Sequence, residues 1–247
     1  MKQQLIRPDR FFFGTRSLPC PYIAENTECK VVTDLAGPNS ADLYERLSRS
    51  GFRRSHSLAY RPACPNCNAC VPVRINTGAF RVTRSFRRVT SANADLEINE
   101  TEAMASVEQY RLFSDYQRTR HEGGDMSGMA FNDYRAMIED TPVATRTVEF
   151  RDPGGKLVAV MLLDQLEESF SAVYSFFDNQ LTRRSLGTFM ILWMVQRARE
   201  VAIPYVYLGY WIDGSDKMSY KARFRPLEGL DQNRWTVLDG KESKSYP

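Results

Sequence analysis

Residues 144–177 read ATRTVEFRDPGGKLVAVMLLDQLEESFSAVYSFF, and this stretch decides the fold. Ala144 to Arg151 alternates apolar and polar side chains, as a half-buried strand does. Asp152-Pro153-Gly154-Gly155 supplies a turn. Lys156 to Gln165 is apolar and β-rich, Glu167-Glu168 marks a second turn, and Phe170 to Phe177 reads as a third strand. Leu186 to Glu200 then carries a long helix and Ile203 to Leu208 a further strand. The order β–turn–β–turn–β–α–β predicts an α+β (mixed α/β) fold on an antiparallel or mixed sheet.

Working outward, Ala41 to Ser50 places Leu43, Tyr44 and Leu47 at helical spacing, with Gly51 where a helix ends. Pro72 to Phe80 has the alternation of a strand-rich segment, Met104 to Glu122 predicts a long helix, and Asn132 to Ile138 a short one. Charge divides the chain. Pro62 to Arg88 holds Arg74, Arg81, Arg84, Arg87 and Arg88 and no acidic residue, whereas Asp95, Glu97, Glu100, Glu102 and Glu108 follow. This switch predicts an N-terminal domain over 1–95, with the cysteines and an arginine stripe, and a C-terminal domain over 96–247.

The 247 residues are 43% hydrophobic and 26% charged with a net charge of +3, which excludes wholesale disorder and a fibrous fold. The longest apolar run, Phe189 to Val195, is far short of the ~20 residues of a membrane span, so no membrane association is expected. MKQQLIRPDRFFF lacks the sustained apolar core of a secretory signal. Five cysteines, an odd count, fit a reducing, cytoplasmic setting better than a disulfide scaffold.

Three of those cysteines form C-x2-C-x2-C at Cys64, Cys67 and Cys70. Such spacing lets sulfurs converge on one metal from a tight turn, with Cys20 or Cys29 as a remote fourth ligand. A local ferredoxin run fails, because its fourth position is Arg74. His56 and His121 are further potential ligands. The open readings are a zinc ion or iron–sulfur cluster, or three reduced cysteines in a loop.

The strand order above resembles the core of the N-acetyltransferase-like fold. In that fold the helix after the central strand opens with [QR]-x-x-G-x-[GA]. Here Arg184-Ser185-Leu186-Gly187-Thr188-Phe189 keeps the Arg and first Gly, but Phe189 replaces the last small residue, which argues against a standard coenzyme A site. Several separated motifs together are more specific. They are Cys20-Pro21-Tyr22, Gly51-Phe52-Arg53-Arg54-Ser55, Tyr60-Arg61-Pro62, the three spaced cysteines, Val73-Arg74, Tyr174-Ser175-Phe176-Phe177, Ser185-Leu186-Gly187, and Tyr207-Leu208-Gly209-Tyr210-Trp211-Ile212 with Met218-Ser219-Tyr220-Lys221. These resemble the arginyl-tRNA–protein transferase family, in its bacterial aspartate/glutamate leucyltransferase branch. The eukaryotic relatives, linked to an iron–sulfur cluster, carry a second cysteine where Ile23 stands here. Cys20 belongs to the shared signature, so the resemblance favours Cys20, Cys64, Cys67 and Cys70 as the metal set and leaves Cys29 aside.

The resemblance implies an aminoacyltransferase that moves leucine from leucyl-tRNA onto the α-amine of proteins beginning with Asp or Glu, creating a degradation signal. The runner-up is arginyl transfer from arginyl-tRNA: an apolar donor pocket would select leucine, and one with a buried carboxylate arginine. A reading from another class is a metal-stabilised RNA-binding module without catalysis. The implied reaction is aminolysis of an ester by an amine whose pKa is ~7.7, so it needs no cofactor and no dedicated nucleophile. Positioning, oxyanion donors and one proton acceptor suffice. Arg53, Arg54, Arg61 and Arg74, with Tyr60 beside them, are candidates for the acceptor's carboxylate, which Arg can grip bidentately. Phe80 to Arg88, read as a strand, places Arg84 and Arg88 on one face and Arg81 and Arg87 on the other. Its arginines and aromatics suit phosphates and an unpaired CCA end, or else a solvated edge. Arg184, Tyr210 and Trp211 join it as tRNA-binding candidates. Tyr174 and Ser175, at the end of the central strand, and Lys221 are the catalytic candidates. Gly209 in a strand allows a bulge or a close approach.

Overall fold

The computed structural model describes residues 11–120, 123–124 and 126–238; His121 and Glu122, at the end of the expected long helix, lie outside them, as do the first ten residues. The chain opens with β1 (Phe13–Gly14), β2 (Leu18–Pro19), β3 (Thr27–Glu28) and β4 (Lys30–Asp34), then helix α1 (Ser40–Arg49), β5 (Arg53–Ser55) and β6 (Leu58–Pro62). β7 (Val71–Asn76), α2 (Arg84–Ser91), β8 (Glu97–Glu102), α3 (Val107–Arg120) and α4 (Phe131–Glu139) follow. Next come β9 (Thr145–Arg151), β10 (Leu157–Gln165), β11 (Ser169–Phe177), α5 (Leu186–Glu200) and β12 (Tyr205–Trp211). A 3-10 turn at Ser219–Arg223 leads to β13 (Leu227–Asp231) and β14 (Arg234–Val237). No helix among the described residues is long and apolar enough to cross a membrane.

The strands form a small sheet, β1-β4-β6-β5, a two-stranded β2-β3 pair, and a large sheet ordered β14-β13-β7-β12-β11-β10-β9-β8. The expected meander is present: β9, β10 and β11 pair antiparallel, and α5 crosses over to bring β12 parallel to β11. β7 comes from ahead of the charge switch and sits inside the large sheet, between β12 and β13. β10 is buried on both faces, which is why it reads as a near-continuous apolar run. Ala159, Met161 and Leu163 pack toward α5 with Met190 and Met194, whereas Val160 and Leu162 pack toward α3 and α4 with Phe113 and Tyr134. Phe189 is one of the core residues under α5, set edge-on to Phe150 at 5.8 Å between ring centroids. The position that would be small in a coenzyme A loop therefore serves the core.

The segment expected as an arginine-striped strand is instead a turn followed by α2. Thr83 takes an extended conformation and its Oγ1 accepts the Phe86 amide at 3.2 Å, a helix N-cap. Phe86 then stacks on Phe224 at 4.9 Å. One buried ring, Phe86, ties α2 to the core, and the arginines around it are left outside.

Several contacts tie the small sheet and α1 to the large sheet, among them three that position the site. Asp164 on β10 accepts from Arg54 Nε and Nη2, both at 2.7 Å, and from Thr145 Oγ1 at 2.7 Å. Tyr44 on α1 lies 3.3 Å from Ser171 Oγ on β11. Tyr210 OH donates toward the Gly51 and Tyr60 carbonyls at 2.9 and 3.2 Å. Gly51 ends α1 with φ +85, and a Cβ there would lie 2.8 Å from Pro72 Cγ, so only glycine fits the corner.

Candidate functional site

β11 and β12 stay paired only from Ser169–Ser171 against Tyr205–Tyr207. Beyond that the two parallel strands part, while β12, which pairs with β7 along its other edge from Tyr205 to Trp211, bulges between Tyr207 and Gly209. Gly209 has φ +82, a conformation that favours glycine. The side chain of Arg53 fills the wedge. A Cβ on Gly209 would lie 3.5 Å from Arg53 Nε, and the guanidinium donates to Ser171 Oγ at 3.2 Å and to the Ala172 carbonyl. Lys221, on the 3-10 turn after β12, enters the same wedge and donates to the Tyr210 carbonyl at 2.5 Å. Arg53 is 9% exposed and Lys221 7%, and neither has a carboxylate within ion-pair distance among the described residues. Two buried cations without an anion are costly unless something neutralises them. Burial, and then the charge of Arg53, bring the Lys221 ammonium down to about 7.

The other catalytic candidates line the open edge of β11. Tyr174 faces α3, where its OH accepts from Gln117 Nε2 at 2.6 Å; burial first, then Tyr116, push its pKa up to about 12, against the Gln117 hydrogen bond. It stays a neutral phenol at physiological pH. Ser175 is the next residue along, half-buried and paired in register with Met161 of β10.

The remaining acceptor candidates divide sharply. Arg54 is not a ligand reader: its side chain is 0% exposed and fully engaged by Asp164, Thr145 and the His56 carbonyl. Arg74 pairs with Glu228 at 2.7 Å and lies between the rings of Tyr205 and Trp235, with centroids 3.7 and 4.3 Å away. That sandwich belongs to the β7–β13 side of the sheet and not to the wedge. Arg61 donates to the Ser50 carbonyl at 3.1 Å and sits over Phe52. Tyr60 is half-buried beside Tyr210, with ring centroids 6.3 Å apart. Of the four arginines, Arg53 alone is both in the wedge and free of a carboxylate.

Arg84, Arg87 and Arg88 are exposed on α2, and Arg81 is exposed just ahead of it. Arg87 reaches the Val82 carbonyl, and none of the four makes an ion pair among the described residues. Sequence reasoning missed two partners of this ridge. Arg223 donates to Ser85 Oγ at 3.3 Å, and the Arg225 carbonyl accepts the Arg81 amide; both side chains are exposed. Their proximity to Lys221 in sequence was the available signal. Ser171 and Ala172, which hold Arg53, carried none. Arg184 is not part of the ridge: it grips Asp95 bidentately at 2.7 and 2.8 Å, and that guanidinium holds the Asp95 carboxyl below its ordinary range. Tyr210 is committed by its OH to the inter-sheet tie, and Trp211 packs against the core under α5.

The expected metal set is not assembled. Among the described residues, no three His, Cys, Asp or Glu side chains have an arrangement that could hold a metal ion. Cys64 Sγ accepts from the Cys29 amide at 3.4 Å and donates to the Cys29 carbonyl at 3.6 Å, so it is engaged by the Cys29 backbone. Burial, with Cys64, Cys20 and Cys67 adding to it, pushes the Cys70 thiol up to about 12. His56, the histidine weighed with them, keeps its Nδ1 3.2 Å from Ser55 Oγ.

The antiparallel meander, the crossover helix and the half-paired parallel strand define an acetyltransferase-like core. The particular family follows from the sequence as a whole. Residues 18–88 match the profile of the arginine-tRNA-protein transferase N terminus and residues 108–231 that of its C terminus, and the chain belongs to that family. An aspartate/glutamate leucyltransferase of Paramagnetospirillum magneticum is 54% identical over 94% of this chain and 94% of its own. One from Rhodospirillum rubrum is 52% identical over 97% and 98%. Among solved structures, the tandem GNAT protein from the clavulanic acid biosynthesis pathway has 11% identity and a TM-score of 0.48, covering 91% of this chain and 62% of that one.

Proposed function

We propose that this protein transfers leucine from leucyl-tRNA to the α-amine of proteins that begin with Asp or Glu, giving them the new N-terminal residue that marks them for degradation. The names of the two relatives support the donor and the acceptor class. The structural observation that carries the reading is Arg53, a buried guanidinium with no carboxylate partner, held in the opening between β11 and β12. An acidic side chain is the group that would neutralise it, and a guanidinium binds a carboxylate through two parallel hydrogen bonds. The ester then lies along the unpaired edge of β11, beside Tyr174 and Ser175, and the α2 ridge takes the tRNA backbone. The aminoacyl ester is activated, so holding amine and ester together supplies most of the rate. None of the five cysteines is in a disulfide, which suits a reducing, cytoplasmic setting.

The test is a transfer assay with labelled leucyl-tRNA and arginyl-tRNA side by side, and peptides beginning with Asp, Glu or Asn. Leucine appearing on the Asp and Glu peptides, and little on Asn, is the expected result. Equal or better transfer from arginyl-tRNA would reverse the donor assignment, and no product from either donor would leave an RNA-binding module.

A further inference from the structure

Aminolysis needs a place for the proton that the attacking nitrogen loses, and the wedge holds one group suited to it. Among the described residues Lys221 Nζ makes a single hydrogen bond, to the Tyr210 carbonyl at 2.5 Å. The groups facing it are Tyr210 from β12, Tyr220 from its own turn with the ring centroid 5.8 Å from Nζ, and Arg53 from β5. Arg223 of the same turn points outward to Ser85 and Phe86. The nearest strand on the other side, β13, has its carboxylate Glu228 held by Arg74. Burial first, and then the Arg53 cation beside it, favour the neutral Lys221 amine. Its protonation midpoint of about 7 places a lone pair on Nζ through much of the neutral range.

We infer that Lys221 is the proton acceptor of the transfer reaction, a catalytic residue whose Nζ touches the attacking α-amine. The inference rests on the transfer reading above. An acceptor carboxylate held by Arg53 brings its own α-nitrogen, a few bonds away, to the Lys221 side of the wedge. That nitrogen attacks the ester carbonyl carbon, the C–N bond forms, and the carbonyl electron pair moves to oxygen. Lys221 Nζ takes one proton from the new nitrogen and becomes an ammonium. The carbonyl re-forms, the bond to the ribose oxygen breaks, and that oxygen receives the proton back from Lys221. The products are an amide and a tRNA with its terminal hydroxyl restored, and Lys221 returns neutral. A permanently charged side chain could hold an anion in this place but could not accept a proton.

Lys221→Met, Lys221→Arg and Lys221→Ala are compared with the wild type in single-turnover transfer from leucyl-tRNA to an Asp-initiated peptide, with thermal melting to score folding. A positioned acid–base group contributes ~10²- to 10⁴-fold. Lys221→Met and Lys221→Arg should both lose rate by that order, with the peptide KM little changed. Methylamine or ethylamine should restore leucylated-peptide formation to Lys221→Ala in proportion to the neutral amine present; direct aminolysis of the ester by the added amine gives a different product and is not scored. A Lys221→Arg protein within ~10-fold of wild type, a loss confined to KM, or a folded Lys221→Ala protein unmoved by amines would overturn the assignment. If the wild type transfers from neither donor, the transfer reading fails first and the inference with it.

Discussion

Replacing Asp164 by Asn should destabilise the protein far more than an ordinary polar substitution, because of what it leaves behind. Asp164 and Arg54 both have side chains at 0% exposure, and the carboxylate accepts three hydrogen bonds of 2.7 Å, two from Arg54 and one from Thr145. The amide keeps the shape but leaves the guanidinium charge buried and uncompensated. Removing one partner of such a pair costs ~3–5 kcal/mol. For a chain of this size that corresponds to a fall in Tm of about 6–20 °C. The double variant Arg54→Met with Asp164→Leu removes both charges and fills the space with apolar groups, so it should recover most of the loss. Urea denaturation followed by tryptophan fluorescence measures both variants against the wild type. If Asp164→Asn cost under ~1 kcal/mol, or if the double variant were no more stable than Asp164→Asn, the pair would not be the buried tie described above.

Three further outcomes are expected. Arg53→Ala should remove a charge-assisted contact of ~1.5–3 kcal/mol and so narrow the preference for Asp over Asn acceptors by roughly 10- to 150-fold in kcat/KM, with transfer to an Asn peptide hardly altered. Lys221 titrates at about 7 when folded against an ordinary 10.5, so between those values the unfolded chain binds a proton that the folded one lacks. Stability must therefore rise with pH across that window, by up to ~5 kcal/mol from this group, with the full cost of the buried charge present below pH 7; Lys221→Met should flatten the rise in urea melts taken from pH 7 to 10. Substituting Arg84 and Arg88 together by Ala should weaken tRNA binding and lower the slope of log affinity against log salt by about 1 per lost phosphate contact, measured by filter binding. An unchanged slope would make the ridge a solvated helix face.

The four-strand core and its crossover helix were legible because their patterns are local. β10 is apolar throughout, β9 alternates, and the Leu186–Glu200 span read from the sequence matches α5 residue for residue. Phe80 to Arg88 was not, since a short run of arginines and aromatics fits either period; the decision lay in Thr83 capping Phe86 and in the ring of Phe224, more than a hundred residues away. The same holds for the site. Gly51-Phe52-Arg53-Arg54-Ser55 marks two adjacent arginines as equals, but strand alternation sends them to opposite faces of β5, one to Asp164 and the other into the wedge. Arg74 likewise looked available until Glu228, far along the chain, closed on it. Cysteine spacing predicted convergence from a turn and could not show that Cys64 bonds the Cys29 backbone. Gly209 was the one sequence signal for close approach in a strand, and the group that approaches is Arg53.

The α2 ridge consists of exposed arginines without acidic neighbours in ion-pair contact, and that composition has a bearing on turnover. Phosphates are the same on a tRNA that carries an amino acid and on one that has given it up. If the ridge takes the tRNA backbone as proposed, a surface reading only backbone charge would hold both equally, used donor would compete with fresh donor there, and telling them apart would fall to the few atoms around the ester. Salt then acts on the cycle in two opposite ways. On that reading it would weaken capture of the donor and hasten departure of the emptied one, so steady-state turnover at saturating donor should pass through an optimum ionic strength while single-turnover efficiency at limiting donor should only decline.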